Sequence, residues 1–113
     1  MIKLFSIILL IFFSSISLLA QNQKITQSLK ILSKPIGSYT DTAKKNNIEG
    51  KVQLEITFKK DGTIGKIKII KALPFGLTER AYAAAKKIKF EPEIINGKPK
   101  TVKKILEYNF TIY

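Results

Sequence analysis

The sequence of 113 residues contains no histidine, no cysteine and no tryptophan. Without histidine or cysteine, the chain cannot assemble a Ser-His-Asp or Cys-His nucleophile system. The same absences exclude a metal site made of thiolates or imidazoles, and they exclude every disulfide bond. We therefore predict no catalytic residues, no metal ligands and no cofactor, and we do not expect the protein to be an enzyme.

Acidic residues are also scarce, with eight Asp and Glu against twenty Lys and Arg. The closest acidic pair is Glu91 and Glu93, which flank Pro92. Such a pair is more simply interpreted as two solvated side chains on a loop than as a general acid and base. No glycine-rich phosphate loop or oxyanion site accompanies the pair, so an enzyme remains the least favoured hypothesis.

The formal net charge of +12 suggests a nucleic-acid partner at first sight. However, Arg80 is the single arginine, and arginine is the residue best suited to bidentate contacts with bases and phosphates. The lysines are more simply interpreted as solvated faces and helix-end charges; they include Lys66, Lys68, Lys86, Lys87 and Lys89. We therefore predict no nucleic-acid partner. Non-specific attraction to acidic envelope polymers or anionic lipid headgroups is the more favoured effect of this charge.

One long apolar run lies at the N-terminus, where residues 1–20 contain a single charge, on Lys3. A positive residue, an apolar stretch and the small Ala20 before polar Gln21 are typical of a secretory signal peptide. The run also reaches the lower limit of a membrane span, so a retained N-terminal membrane anchor stays open as an alternative. Either outcome predicts that the rest of the chain is exported.

The first part of the exported chain shows weak patterning. We interpret residues 21–38 as a linker, although the spacing of Ile25, Leu29 and Leu32 would suit a short helix. Residues 39–47 are predicted to form a short helix, because a Thr or Ser can cap its start and lysines suit its end.

A hairpin follows the first helix. Residues 52–58 alternate between apolar and polar, which is typical of a half-buried strand, and Asp61-Gly62 is a strong hairpin signal. Residues 64–73 form the predicted return strand, with a slip of phase at residues 70–72 that indicates a bulge or the end of pairing. The predicted core face of the first strand consists of Val52, Leu54, Ile56 and Phe58, and Ile67 and Ile69 share one face of the second.

A second helix and a long last strand complete the pattern. Thr78 is the predicted cap of that helix and Glu91-Pro92 its predicted end, while residues 101–113 form the strand after a turn at Asn96-Gly97. The apolar stripe of the helix is Leu77, Ala81, Ala84, Ala85 and Ile88, and that of the strand is Val102, Leu106, Tyr108, Phe110 and Ile112. The order of elements predicts an α+β fold with two helices on one face of a small antiparallel sheet.

Several of these pieces, taken in order, resemble the TonB C-terminal domain from about residue 39 to the end of the chain. Each piece is a weak signal, but their order and spacing together are specific. They are Ala43 with the run from Lys44 to Val52, Phe58 to Gly62, Gly76-Leu77 before an alanine-rich helix, Lys86 to Pro92, and Asn96 to Pro99. Residues 39–113 are accordingly predicted to form a TonB C-terminal-like domain.

The resemblance implies a role in transport across the bacterial envelope. TonB couples the inner-membrane proton gradient to outer-membrane transporters, and its C-terminal domain captures their TonB box by β-strand addition to its last strand. The implied partners are thus a TonB-dependent outer-membrane transporter and, if the N-terminus is retained, inner-membrane proton-channel proteins. The implied location is the periplasm. The partner-binding residues expected on this basis are Lys103, Ile105, Glu107, Asn109, Thr111, Tyr113 and Tyr39.

Two alternatives stay open beside this interpretation. The last strand could instead have its edge covered by a loop or by a second copy in a homodimer. The protein could also be a soluble periplasmic interaction module of the same fold that transmits no energy. The segment between Ala20 and Tyr39 supports that module, because its eighteen residues reach about 60 Å when fully extended, less than the long spacer of a full transducer. The chain also departs from the family pattern at Thr40, where proline is common, and at Glu93.

Overall fold

A computed structural model describes residues 24–112. The predicted signal peptide at residues 1–20 and the predicted partner-binding residue Tyr113 lie outside this range. Within it, no helix is long and apolar enough to cross a membrane. The elements are β1 (Ile25–Gln27), β2 (Lys30–Ser33), α1 (Asp41–Lys45), β3 (Gly50–Phe58), β4 (Ile64–Lys71), α2 (Leu77–Lys86), β5 (Lys89–Glu91), β6 (Glu93–Ile95), β7 (Lys98–Lys100) and β8 (Val102–Phe110).

The main sheet has three antiparallel strands in the order β4-β3-β8. β3 lies in the centre of this order, and its alternating sequence supplies one wholly apolar face. That face confirms the predicted core, since Val52, Leu54, Ile56 and Phe58 are all completely buried. At the β3–β4 hairpin, Gly62 has φ 86°. This value lies in the left-handed region that glycine adopts without strain, as the Asp-Gly pair predicts.

β4 contains the predicted bulge. The register against β3 shifts between the pairs Leu54–Ile69 and Gln53–Lys71, which leaves Ile70 as the extra residue. A second shift lies nearer the hairpin, between the pairs that contain Ile56 and Phe58. The ladder between β4 and β3 is therefore interrupted twice.

The two helices pack on one face of the sheet, which confirms the α+β fold. Thr40 caps α1, because its Oγ1 accepts a hydrogen bond from the Ala43 N–H at 3.1 Å. The prediction that Thr78 caps α2 is wrong. Gly76 occupies the cap position, and the Thr78 hydroxyl instead bonds to the N–H and the carbonyl of Leu73, each at 2.8 Å.

The helices complete one core with β3 and β8. The alanines of α2 allow its backbone to approach the sheet closely, and the whole predicted stripe of that helix is buried. On β8, Tyr108 and Phe110 are buried, whereas Val102 and Leu106 are half-buried and Ile112 lies beyond the end of the strand. The helix ends at Lys86, earlier than predicted. Phe90 lies in β5, where its ring packs edge-on against Phe58.

The N-terminal stretch, interpreted as a linker whose apolar spacing would also suit a short helix, forms two short strands and no helix at Ile25, Leu29 and Leu32. β1 pairs with β6, and β2 pairs with β5. Their partners are distant in sequence, so a local pattern of apolar spacing cannot reveal the pairing. β6 and β7 form a hairpin at the predicted Asn96-Gly97 turn, where both residues have positive φ, of 52° and 77°. Residues 24–33 thus contact the domain through strand pairing.

Candidate functional site

β8 offers a long strand edge. It pairs with β3 through nine consecutive residue pairs without a register shift, from Gly50–Phe110 to Phe58–Val102. It also lies at the end of the strand order, and among residues 24–112 no strand pairs with its other side. An edge of this kind can accept another extended chain, because every second residue directs its N–H and C=O away from the existing partner.

The outer edge of β4 is less suited to pairing. Its two register shifts twist the strand and interrupt the even spacing of main-chain groups. Lys66, Lys68 and Lys71 also leave it strongly basic, and bulges and charges of this kind are devices by which proteins protect a strand edge. The unshifted edge of β8 is therefore the better candidate for strand addition.

Two contacts of Glu107 indicate which residues of β8 direct their main-chain N–H and C=O groups toward the free edge. The Lys34 ammonium donates a hydrogen bond to the Glu107 carbonyl at 2.7 Å, which indicates that this carbonyl points away from β3. The Glu107 carboxylate also accepts a hydrogen bond from Gln53 at 2.9 Å. Close side-chain approach is typical of directly opposed residues that exchange no main-chain hydrogen bonds. By alternation, the main-chain groups of Ile105 and Asn109 face the same free edge.

The side chains of the predicted binding set share one exposed face. Lys103, Ile105, Glu107 and Asn109 are all exposed on the side of β8 opposite the helices. Ile105 lies in the middle of this set and is 55% exposed, so it places an apolar side chain between the charged groups of Lys103 and Glu107. Thr111 is exposed and lies just beyond the end of the strand. The structure thus brings the predicted residues of the strand together.

Glu107 is held in a charged state on this face. Its carboxylate accepts the hydrogen bond from Gln53 and lies 3.5 Å from the Lys51 ammonium. These two interactions, the Gln53 bond first, lower the pKa of Glu107 below its usual value. The strand therefore presents an anionic group two residues from Ile105 and a cationic group, Lys103, two residues on the other side.

Tyr39 has a packing role at the far end of the same strand. Its ring stands edge-on against the Phe110 ring, with centroids 5.5 Å apart, and its hydroxyl donates a hydrogen bond to the Ile48 carbonyl. Desolvation first, and then the nearby Glu49 carboxylate, raise the pKa of Tyr39. The neutral phenol thus supports the end of β8, while a direct contact between Tyr39 and a partner stays a prediction.

Lys34 and Tyr108 complete the site; the sequence placed Tyr108 in the core, but it did not reveal Lys34 or the contact between the two. The Lys34 ammonium lies 4.5 Å from the centroid of the Tyr108 ring, within the range of a cation–π interaction. Tyr108 is 3% exposed, and burial raises its pKa to about 12. Its hydroxyl has no hydrogen-bond partner among the described residues. Lys34 could not be identified because it lies in the stretch interpreted as a linker.

Clusters of side chains that could hold a metal ion are a further kind of site to consider within the described part of the chain. Within residues 24–112, no group of three or more acidic residues could coordinate one. The acidic pair Glu91 and Glu93 does not lie on a loop as predicted. Glu91 ends β5 and Glu93 begins β6, so the two carboxylates belong to different strands on either side of Pro92.

Comparison with known proteins identifies this architecture. A family model described as the Gram-negative bacterial TonB protein C-terminal matches residues 37–112. The chain belongs to the TonB C-terminal family. The solution NMR structure of the Pseudomonas aeruginosa TonB C-terminal domain is similar, with a TM-score of 0.61 and 28% sequence identity over 76% of this chain and 88% of that one. A search of curated proteins finds no match.

Membership of the TonB C-terminal family confirms the family predicted from the ordered motifs. The family is transport-associated and non-catalytic, and its proteins are associated with the cell envelope and generally interact with outer-membrane transporters. The matched range begins at residue 37, so β1 and β2 lie outside the part that the family model describes. The edge of β8 lies wholly within it.

Proposed function

We propose that this protein is a TonB-like periplasmic component that captures TonB-box segments of outer-membrane transporters by β-strand addition to β8. Through this capture it takes part in energy-coupled transport. The observation that carries the proposal is the unshifted edge of β8, on which Ile105 and its neighbours of the same parity direct main-chain groups outward. An extended segment satisfies such groups by main-chain hydrogen bonding, which tolerates variation in the sequence of the segment.

The first prediction concerns the site of binding. Synthetic TonB-box peptides from transporters of the same organism are expected to shift the backbone amide NMR signals of Lys103, Ile105 and Glu107. The signals of Lys66 and Lys68 on β4 serve as an internal reference, because they belong to the opposite edge of the sheet. A titration of the isotopically labelled protein measures both sets together.

The matched control peptide has the same sequence with N-methyl groups on alternate residues. Two such peptides exist, methylated on the odd or on the even residues. Only one of them loses the N–H groups that would pair with β8, so we expect that peptide not to bind, although its side chains are preserved. Failure of every box peptide to bind, or shifts confined to β4, would contradict the proposal. Equal binding of both methylated registers would show that main-chain pairing is not the basis of recognition.

The alternative function is a periplasmic interaction module of the same fold without energy transduction. The two functions differ in the fate of the N-terminus, because a transducer needs a retained anchor that contacts inner-membrane proton-channel proteins. Mass spectrometry of the native protein separates them. A mature chain that begins at Gln21 favours the module, whereas an intact Met1 in the inner-membrane fraction favours the transducer.

A homodimer through β8 is a second candidate assembly, and the charge pattern of the strand favours one register. If two copies pair antiparallel about Ile105, each Ile105 opposes its counterpart. Each Lys103 then opposes Glu107 of the second copy. This register also aligns the outward main-chain groups of both strands. A homodimer would occupy the same edge as a TonB box, so the two assemblies exclude each other.

Charge reversal tests that register. We expect Lys103→Glu to shift the monomer–dimer equilibrium toward the monomer, because it places like charges opposite each other twice per dimer. The double variant Lys103→Glu/Glu107→Lys restores opposite charges and is expected to restore association. Sedimentation equilibrium of the wild-type protein and both variants measures this. A wild-type protein that stays monomeric, or a double variant no better than the single one, would contradict the dimer.

A further inference from the structure

The segment before α1 runs along the second half of the free edge. Residues 34–39, here called the strap, pass beside the last residues of β8 in the same direction as that strand. Lys34 lies near Glu107 at one end, and Tyr39 lies near Phe110 at the other. The groove between the strap and β8 is lined by Lys34, Pro35, Ile36, Glu107, Tyr108 and Asn109.

The strap is anchored at a few points rather than by a strand ladder. Among residues 24–112, no strand pairing joins the strap to β8, and its hydrogen bond to the β8 main chain comes from the Lys34 side chain. Arg80 on α2 also donates a hydrogen bond to the Ser38 hydroxyl at 2.7 Å. Ile36, in the middle of the strap, is 86% exposed and contributes little buried surface.

Gly37 allows the strap to lie close to the core. A Cβ atom at this position would approach the Phe110 ring to 3.1 Å and the Ala81 nitrogen to 3.3 Å. The backbone of Ala81 lies within a helix and cannot easily move away. The strap therefore packs tightly at Gly37 and loosely at Ile36. At Lys34 it is held by a single charged hydrogen bond.

We infer that the strap, through Lys34, is a built-in competitor for the second half of the β8 edge and thereby limits the length of segment that pairs there. The inference rests on the proposed function and concerns its regulation. The first half of the edge, around Lys103 and Ile105, is open to an incoming strand. To extend the pairing past Glu107, the strand must displace the Lys34 ammonium from the carbonyl that it occupies.

The size of the effect follows from the interaction that is lost. Lys34 contributes one charge-assisted hydrogen bond and one cation–π contact, both near the surface and therefore weakened by water. Loss of these two interactions is expected to lower the dissociation constant of a peptide that pairs with all of β8 by about three- to tenfold. The effect on folding is expected to be small, because the core residues beneath the strap are unchanged.

Three variants test the inference. Lys34→Met keeps most of the aliphatic stem but removes the donor, and we expect it to bind a box peptide long enough to span all of β8 about three- to tenfold more tightly. Lys34→Arg keeps a donor and is expected to bind like the wild type. Lys30→Met lowers the net charge equally but lies on β2, away from the β8 edge, so it is the matched control. Isothermal titration calorimetry of all four proteins measures the differences.

Amide hydrogen exchange without peptide tests the strap independently of the proposed function. In Lys34→Met we expect faster exchange at Tyr108 and Phe110, whose amides face β3 beside the strap, than in Lys30→Met. Unchanged exchange together with unchanged peptide affinity would overturn the inference and leave the proposed function intact. If no peptide binds any variant, the proposed function fails, and the inferred competition for β8 fails with it. Exchange would then report only whether Lys34 holds the strap.

Discussion

Ile105→Pro is expected to abolish capture of an extended peptide while the domain stays folded. The N–H of Ile105 faces the free edge of β8, so its removal costs no hydrogen bond to β3. An incoming strand loses that donor and meets the proline ring at the centre of the edge. We expect the dissociation constant for a TonB-box peptide to rise at least about tenfold, as measured by calorimetry.

Two neighbouring variants control for the proline. Ile105→Thr keeps the N–H and the β-branched shape, so it is expected to bind nearly as well as the wild type. Leu106→Pro removes an N–H that faces β3 opposite Leu54, so it is expected to unfold the domain rather than to affect the edge alone. Circular dichroism reports folding in each case. Wild-type affinity in a folded Ile105→Pro variant would show that peptides do not pair with β8.

Phe58→Ala is expected to cause a large loss of stability, because Phe58 is a large and fully buried side chain of the core. The Phe58 side chain is completely buried, and its ring stands edge-on against Phe90 with centroids 4.9 Å apart. Truncation of a buried phenylalanine to alanine costs about 3–5 kcal/mol through lost burial and the cavity left behind. Because small domains have free energies of unfolding of about 5–15 kcal/mol, this loss removes a large share of the stability. We expect a measurable fraction of the variant to be unfolded at or slightly above room temperature.

The matched control is Phe75→Ala. The Phe75 side chain is 45% exposed in the connection between β4 and α2, so the same change of residue type removes little buried surface. Its backbone has φ 59°, and alanine meets the same restriction there as phenylalanine. We expect a loss within about 1 kcal/mol in urea denaturation. Equal losses for the two variants would contradict the assignment of Phe58 to the centre of the core.

The ordered motifs were sufficient to predict the family and most of the main sheet. The alternation in β3 and the Asp61-Gly62 turn determine a hairpin almost alone, because strand period and turn conformation are local properties. The apolar stripe of α2 is equally local. Thr78 shows the limit of such reasoning, since a residue able to cap a helix bonds instead to Leu73, which the fold brings within reach.

The candidate site was predicted in part. Side chains alternate between the two faces of a strand, so the exposed residues of β8 follow once the strand is recognised. Ile105 and Glu107 could therefore be named from the sequence. Lys34 could not, because its contact joins two residues separated by most of the domain. Tyr39 was named through the family resemblance, and the structure adds its packing against Phe110.

The sequence alone, through its lack of histidine and cysteine, excluded Ser-His and Cys-His nucleophile systems and thiolate metal sites, and its local periods determined most of the residues that enter the core. Only the tertiary structure decided which strand edge is free, which is interrupted by bulges, and which half of the free edge the strap covers. The physical reason is that strand order and edge coverage depend on contacts between residues far apart in sequence. No local pattern of hydrophobicity or charge encodes those contacts.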